Sequence, residues 1–317
     1  MERILVTGGA GFIGANACNI LVAEGYDVVA LDTLALGRRE NLDARVSFIR
    51  GDCGNADDLR RAGAIDFIIH LAGSSSAPMF TDDLPGSFVN NIRGHISILE
   101  FARERGAKKV LFASTSSIYG DGTPPFAETT HVAPPNFYSV SKHCQEELSN
   151  VFHQTYGTEI IAFRFMSVYG RHEEHKGRFA NLVSQFIWGM EQGKQPVIYG
   201  DGSQTRDFTH VSDVVSAFKL ALRTRKRFGF DVFNVGTGRA VNLRELVAAI
   251  NKALKTDISP RHVGNPVTTG YINVQQADLS KISRELGYAP TVALEIGIAD
   301  IVAYRSGHPV APFSLSY

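Results

Sequence analysis

Tyr138 and Lys142 stand four residues apart in the segment Tyr-Ser-Val-Ser-Lys, a spacing that can support proton transfer. On a helix, side chains at positions i and i+4 project from one face, a turn apart. An ammonium beside a phenol favours the phenolate, so we expect Lys142 to lower the pKa of Tyr138. A tyrosine with a lowered pKa can act as a general base near neutral pH. The pair therefore predicts an acid–base site.

A glycine-rich segment near the start of the chain reads Thr-Gly-Gly-Ala-Gly-Phe-Ile-Gly over residues 7–14. It follows an apolar run at 4–6 and precedes an amphipathic stretch at 13–23, so it lies between a predicted strand and a predicted helix. Glycines permit a tight turn and let the backbone approach a pyrophosphate, while amides at the helix N-terminus face the phosphates. The segment therefore predicts a dinucleotide site.

Asp32 ends the second predicted strand and lies 18 residues after Gly14. A carboxylate at this position can accept hydrogen bonds from the adenosine ribose hydroxyls and would repel a 2′-phosphate. We therefore expect NAD rather than NADP. Arg38 and Arg39 follow closely and could weaken that preference.

A cluster of hydroxyl side chains, Ser114-Thr115-Ser116-Ser117, comes directly after the predicted strand at 109–113. In an open α/β sheet, ligands bind outside the carboxyl ends of the strands. We expect a hydroxyl of this cluster to lie over the nicotinamide, beside the Tyr138 phenol.

The elements that must position these residues alternate between apolar strands and helical segments. Short, β-branched runs predict strands buried on both faces, and the β-α-β-α rhythm predicts a doubly wound parallel sheet, the Rossmann fold. We assign residues 1–165 to an NAD-binding domain and 166–317 mainly to a smaller C-terminal α/β substrate domain, with part of about 205–235 returning to the first. The predicted strands are 4–6, 28–31, 46–49, 65–71, 109–113 and 159–165, and the clearest predicted helices are 13–23, 86–105 and 137–156.

Composition excludes several classes of protein. The chain has 317 residues, of which 44% are hydrophobic and 20% charged, so it can bury a core and is neither disordered nor fibrous. Lys plus Arg (32) balances Asp plus Glu (32), which argues against nucleic acid or an anionic membrane as partner. No apolar run approaches the roughly 18 residues of a membrane span. Three scattered cysteines, Cys18, Cys53 and Cys144, indicate reduced thiols and a cytoplasmic protein.

Together these motifs resemble the extended short-chain dehydrogenase/reductase superfamily, within it the NAD-dependent nucleotide-sugar epimerases and dehydratases, and most of all the UDP-glucose (UDP-galactose) 4-epimerases. The resemblance covers nearly the whole chain and includes Gly-Asp-Cys at 51–53, His-Leu-Ala-Gly at 70–73 and Gly-Asp-Gly-Ser-Gln-Thr-Arg-Asp-Phe at 200–208. It implies NAD as cofactor and the following cofactor-binding residues: Gly8, Gly11, Phe12, Ile13, Gly14, Asp32, Asp52, Cys53, Leu71, Ala72, Gly73, Asn91, Tyr138, Lys142 and Phe165.

The resemblance also implies the reaction. Tyr138 would take the proton of the sugar 4-hydroxyl, Thr115 would bond the same oxygen, and Lys142 would hold the cofactor ribose. The 4,6-dehydratases carry Asp-Glu after the position of Thr115, and the uronate decarboxylases carry Glu. Here Ser116-Ser117 stands there, which favours C4 inversion through a 4-keto sugar over loss of water.

The expected substrate is a nucleotide sugar, with a UDP-sugar favoured. The implied substrate-binding residues are Ser75, Thr115, Ser116, Ser117, Tyr138, Ser167, Asn181, Leu182, Tyr199 and Arg206. The chain departs from the family pattern where Ser167 replaces an asparagine and where residues 268–271 lack a second diphosphate arginine. Gln275 stands at the position that gates the sugar pocket in related epimerases, and its intermediate size leaves plain and N-acetylated hexoses open.

Four other functions are compatible with these motifs. A nucleotide-sugar oxidoreductase, a dehydratase, a uronate epimerase and a non-catalytic NAD-binding protein would share the fold. His172 and His175, with the glutamates between them, do not have the spacing of a metal site, and we expect a polar loop there and no metal. The resemblance further implies a homodimer formed through the helices at 86–105 and 137–156.

Overall fold

The architecture is that of a computed structural model which describes residues 1–266 and 270–307. The strands are β1 (Arg3–Thr7), β2 (Asp27–Asp32), β3 (Ser47–Arg50), β4 (Phe67–His70), β5 (Lys109–Thr115), β6 (Ile160–Phe165), β7 (Ser167–Tyr169), β8 (Val197–Tyr199), β9 (Thr205–Arg206), β10 (Phe208–His210), β11 (Phe230–Val235), β12 (Val241–Asn242) and β13 (Arg261–Val263). The helices are α1 (Phe12–Ala23), α2 (Ala56–Arg60), α3 (Ala77–Asp82), α4 (Leu84–Arg105), α5 (Phe137–Tyr156), α6 (Leu182–Glu191), α7 (Val211–Arg223), α8 (Leu243–Leu254), α9 (Ser280–Leu286) and α10 (Leu294–Gly307).

Seven parallel strands form the main sheet in the order β11-β6-β5-β4-β1-β2-β3. The order reverses at β1, which lies between β2 and β4, and such a reversal opens a crevice at the carboxyl ends of the strands. The prediction of a doubly wound parallel sheet with flanking helices is confirmed. The strand β11 also joins this sheet beside β6, so the chain returns to it after leaving at β6.

Side chains of the central strands alternate between two cores. In β1, Ile4 and Val6 pack against α1 and α7 on one face, and Leu5 packs against α4 on the other. All three are fully buried, which explains why the strand reads as an uninterrupted apolar run rather than an alternating one. The sheet is therefore the middle of three layers.

The C-terminal half builds a third core from α6, α8 and α10, with Val183, Leu246 and Ile298 among its buried residues. Three short two-stranded pairs lie outside the main sheet: β7 with β10, β8 with β13 and β9 with β12. These pairs and α3 were not predicted, because segments of two to six residues carry too little periodicity to be recognised.

Within the part of the chain that is described, no helix has the length and apolar character needed to cross a membrane.

Candidate active site

A cleft of about 990 Å³ runs along the carboxyl ends of β1, β4, β5 and β6. This volume is at the upper end of the roughly 300–1,000 Å³ found for ligand pockets, enough for more than a single small molecule. Most of the predicted site residues line it. They are Gly8, Gly11, Phe12, Ile13, Gly14, Asp32, Asp52, Cys53, Leu71, Ala72, Gly73, Ser75, Thr115, Ser116, Ser117, Tyr138, Lys142, Phe165, Ser167, Asn181 and Arg206.

The glycine-rich turn brings backbone to the cleft where side chains would block it. Gly8 has a φ of +65°, and a Cβ there would lie 2.8 Å from the Ala72 nitrogen. A Cβ at Gly14 would collide with the Gly8 carbonyl oxygen. The helix α1 then begins at Phe12 with no side-chain cap on its first amides. A cradle of this shape, with amide groups at its rim, fits the diphosphate of a dinucleotide.

Asp32 lies beside this cradle at the end of β2. Its Oδ2 accepts a hydrogen bond from the Ala10 nitrogen (3.1 Å) and its Oδ1 accepts one from the Leu34 nitrogen (2.8 Å). The carboxylate is thereby fixed with a side open to the cleft, as a contact to ribose hydroxyls requires. Arg38 and Arg39 are not among the described residues that line the cleft, and Arg39 instead stacks on Phe48.

The hydroxyl cluster and the helix that carries Tyr138 and Lys142 meet at the cleft. Thr115 is the last residue of β5, and its side chain hydrogen-bonds the Tyr138 phenol. The Thr115 Oγ1 also accepts a hydrogen bond from the Ser117 nitrogen (3.2 Å), which fixes its orientation. The helix α5 begins at Phe137 with a capping box made by Asn136, so Tyr138 projects from its first turn into the cleft.

The electrostatics of the pair differ from the expectation. Burial raises the pKa of Tyr138, and the hydrogen bond from Thr115 only partly offsets this. Lys142 donates from Nζ to the Ala113 carbonyl (2.9 Å) and to Gln145 Oε1 (3.2 Å), and burial lowers its pKa to about 8. The prediction that Lys142 lowers the pKa of Tyr138 is therefore wrong for the chain by itself. Desolvation of the phenol outweighs the attraction of a buried ammonium that is bonded elsewhere.

Asn91 is not among the residues lining the cleft but supports its wall. Its Oδ1 accepts from the Ser74 nitrogen (2.7 Å), and its Nδ2 donates to the Ser74 carbonyl and to the Ser141 hydroxyl (3.1 Å each). Gln145 in turn donates to the Asn91 carbonyl (2.8 Å). Asn91 thus holds the turn after β4 against α5, a support for the cofactor site rather than a part of its surface.

Ser116 and Ser167 are joined by a side chain more than a hundred residues away in sequence. The Gln275 Nε2 donates to the Ser116 hydroxyl, and the Ser167 hydroxyl donates to Gln275 Oε1, both at 2.6 Å. Gln275 is buried at 7% exposure and lines the cleft. We call this arrangement the serine–glutamine bridge. It ties the end of β5 and the start of β7 to the segment before α9.

The remaining predicted substrate residues separate into two groups. Arg206 lines the cleft with its guanidinium 5.6 Å from the centre of the Tyr271 ring, and Asn181 lines it while capping α6. Tyr199 contacts the Tyr271 ring and is not among the described lining residues, and Leu182 packs against the third core. The missing diphosphate arginine concerns residues 268–271, of which 268 and 269 lie outside the described residues.

One part of the wall was not predicted as binding surface. The segment at 171–179, which we call the strap, places Glu173, His175, Lys176 and Arg178 along the cleft. Its sequence, with five charged residues and two histidines, indicated only a polar loop. Among the described residues there is no group of three His, Cys, Asp or Glu side chains that could hold a metal ion.

Comparison with known proteins agrees with this geometry. The family model for the NAD dependent epimerase/dehydratase family matches residues 4–236. A UDP-glucose 4-epimerase of Mycolicibacterium smegmatis is 35% identical over 95% of this chain and 98% of its own length. The Thermotoga maritima UDP-glucose 4-epimerase, solved with UDP-glucose, is 30% identical with a TM-score of 0.90, covering 96% of this chain and 99% of that one. The Thermus thermophilus UDP-glucose 4-epimerase, solved with NAD, is 31% identical with a TM-score of 0.86, covering 97% of this chain and 100% of that one.

The family model covers well over half of the chain, and the alignment to the mycobacterial relative extends over nearly all of it. The glycine cradle, the fixed carboxylate of Asp32 and the Thr115–Tyr138 contact are the features such a protein needs. The chain therefore belongs to the NAD dependent epimerase/dehydratase family and is an NAD-dependent epimerase with a Rossmann fold and NAD as its cofactor.

Proposed function

We propose that this enzyme is a nucleotide-sugar 4-epimerase that inverts C4 of a UDP-hexose, either the glucose/galactose pair or the N-acetylated pair. The observation that carries the proposal is the Thr115–Tyr138 hydrogen bond inside the cleft, flanked by Ser116 and Ser117 in place of carboxylates. Two hydroxyls on one substrate oxygen can move a proton, and the absence of a carboxylate beside them favours inversion over elimination.

Tyr138 and Thr115 have different roles in this proposal, proton transfer for Tyr138 and orientation of the substrate oxygen for Thr115. Tyr138 accepts the proton of the 4-hydroxyl and later returns it, while the Thr115 hydroxyl bonds the same oxygen and keeps it within reach. Bound NAD would supply a reversible hydride acceptor for C4 and positive charge near the buried phenol, which would favour its ionisation. Lys142, whose pKa of about 8 leaves it largely protonated at neutral pH, adds a second positive charge beneath that site.

Dehydration is the nearest competing reaction. It requires an acid and a base beside C5 and C6, and in this chain the residues after Thr115 are hydroxyls. Glu173 also lines the cleft, but its carboxylate already accepts hydrogen bonds from the Asn181 nitrogen, from Lys176 and from the Ser184 hydroxyl. A net oxidoreductase would have to exchange its cofactor at every turnover, whereas an epimerase regenerates it.

We also propose a homodimer formed through α4 and α5, and a cytosolic location. Large apolar side chains are exposed along these two helices, among them Val89 and Val151 at 58% and Tyr156 at 53%. Exposed apolar side chains on two helices that contact each other favour association. Cys18, Cys53 and Cys144 are free thiols, which suits a reducing compartment.

The test is incubation of the purified enzyme with UDP-, GDP-, dTDP- and CDP-sugars, with the products resolved by NMR. We expect a UDP-hexose to be converted to its C4 epimer. Tyr138→Phe should lower kcat by about 10²–10⁴, the range for loss of a general base. Tyr156→Phe, at the exposed end of the same helix, is the matched control and should keep full activity. Conversion of no nucleotide sugar, or full activity of Tyr138→Phe, would refute the proposal.

A further inference from the structure

Positive charge on the wall of the cleft is scarce for the ligands that it must hold. Under the proposed function, on which this inference rests, the cleft takes two diphosphates, that of the dinucleotide and that of the nucleotide sugar. Among the described residues, the lysines and arginines that line it are Lys142, Lys176, Arg178 and Arg206. A diphosphate in a partly buried cleft needs cations or amides close to its oxygens.

Each of these four cations has a partner within the protein, and for three of them that partner lies outside the strap. Lys142 lies beneath Tyr138 and donates to backbone and side-chain oxygens, and Arg178 forms an ion pair with a carboxylate on α3. Arg206 is the family-implied diphosphate contact and also donates to a backbone carbonyl of its own strand. Their partners are Ala113 and Gln145 for Lys142, Asp82 for Arg178 and Thr205 for Arg206.

Lys176 is the fourth cation, and the strap holds it in a defined place. Glu173, at 1% exposure, accepts a hydrogen bond on Oε1 from Lys176 Nζ (3.2 Å) and another from the Asn181 nitrogen (2.8 Å). Its Oε2 accepts from the Ser184 hydroxyl (2.6 Å). Because Lys176 and the Asn181 amide share one carboxylate oxygen, the ammonium lies beside the start of α6.

The same ammonium also faces the glycine turn. Lys176 Nζ lies 5.6 Å from the centre of the Phe12 ring, and Phe12 is the first residue of α1. The lysine side chain is 19% exposed, and that exposure is toward the cleft that it lines. An ammonium has three N–H donors, and within the described residues Glu173 accepts one of them. The ammonium therefore keeps N–H donors beyond the one that Glu173 accepts, and it lies beside both Phe12 of α1 and the Asn181 amide at the start of α6.

We infer that Lys176 binds a diphosphate in this cleft. Its ammonium bridges the buried Glu173 carboxylate and a phosphoryl oxygen, and the strap is the element that delivers it. The chemistry is the same for the diphosphate of a UDP-sugar and for that of NAD, and Lys176 lies between the start of α6 and the start of α1. A charge-assisted hydrogen bond of about 1.5–3 kcal/mol corresponds to about a 10- to 150-fold change in affinity.

The experiment compares Lys176→Met and Lys176→Arg with the parent enzyme and with Lys252→Met, which removes an exposed lysine on α8 away from the cleft. UDP affinity of the holoenzyme is measured by calorimetry, and NAD retention is measured as bound NAD after gel filtration. We expect Lys176→Met to lose at least 10-fold in one of these two readouts, which identifies the diphosphate concerned. Lys176→Arg should recover most of the loss, and Lys252→Met should match the parent.

A purely structural role, neutralising Glu173, is separated by the double variant Glu173→Gln/Lys176→Met. If the lysine only balances that carboxylate, removing both charges restores UDP affinity and NAD retention, and the inference is wrong. If the lysine contacts the diphosphate, the loss persists in the double variant. Unchanged UDP affinity and NAD retention in Lys176→Met, with a loss confined to kcat, would also overturn the inference. Because both readouts are binding measurements, they stand whether or not the enzyme proves to be a 4-epimerase.

Discussion

The hydrogen bond between Thr115 and Tyr138 makes a quantitative prediction for the pH dependence of the reaction. Burial raises the pKa of the Tyr138 phenol, and the Thr115 hydroxyl works against this by bonding the phenolate. Thr115→Val keeps the shape of a side chain that is only 6% exposed and removes the hydroxyl. A hydrogen bond to a charged group contributes about 1.5–3 kcal/mol, and one pKa unit corresponds to about 1.36 kcal/mol. The pKa of Tyr138 should therefore rise further, by about 1–2 units.

The direction of the effect on activity follows from the role of the base. Under the proposed function Tyr138 must be deprotonated to accept a proton, so kcat should rise with pH through the pKa of the phenol. In Thr115→Val this limb of the kcat profile should move about 1–2 pH units toward alkaline pH. Activity at neutral pH should fall about tenfold or more. Thr115→Ser is the matched control, because it keeps a hydroxyl for both Tyr138 and the Ser117 nitrogen.

The assay is steady-state epimerisation from pH 5.5 to 10, with NAD content measured for each variant. A Thr115→Val profile with its limb at the parent pH, whatever its amplitude, would show that Thr115 does not tune the phenol. A limb that moves equally in Thr115→Ser would assign the shift to packing rather than to the hydroxyl.

Three further predictions concern specificity, assembly and acid stability. Gln275→Ala breaks both 2.6 Å contacts of the serine–glutamine bridge and frees space in the cleft. The ratio of kcat/KM for an N-acetylated hexose to kcat/KM for a plain hexose should therefore rise several-fold. An unchanged ratio would show that Gln275 does not select the sugar. Val151→Glu puts a charge on the exposed apolar face of α5 and should shift the species seen by light scattering from dimer to monomer, whereas exposed Lys252→Glu on α8 should not. Burial lowers the pKa of His95 from 6.5 to about 3. Below pH 6.5 the unfolded state therefore binds more protons than the folded state. The free energy of unfolding should decline from pH 6.5 toward pH 3, by up to about 1.4 kcal/mol per pH unit for this residue. His95→Gln should flatten that decline, measured by urea unfolding, and exposed His131→Gln should leave it intact.

Local motifs explain which features could be predicted from the sequence. Local backbone geometry alone positions the side chains that belong to a single strand, turn or helix. This applies to the glycine turn, to Asp32, and to Tyr138 and Lys142 on one helix. The parallel sheet was predictable for a similar reason: strands buried on both faces must be apolar at every position, as Ile4 and Leu5 are. The location of the site could be predicted because parallel strands place their carboxyl ends at one edge of the sheet.

Features that depend on long-range packing could not be predicted. Gln275 meets Ser116 across 159 residues and Ser167 across 108, and no periodicity encodes such a pairing. The strap reads as a polar loop, and its role at the cleft depends on burial of Glu173, which only the folded chain supplies. The predicted decrease in the pKa of Tyr138 was wrong, because the i, i+4 spacing shows that the two side chains are close but does not show that the phenol is desolvated.

The central claim is that a hydride leaves C4 and returns to it while Tyr138 moves only the hydroxyl proton. The most direct measurement is turnover of UDP-glucose, and of its N-acetylated counterpart, in D₂O with products followed by NMR. Inversion at C4 with the original hydrogen still on C4, and no deuterium at C4 or C5, is the predicted result. Deuterium entering the ring carbons, or turnover with no inversion at C4, would contradict it.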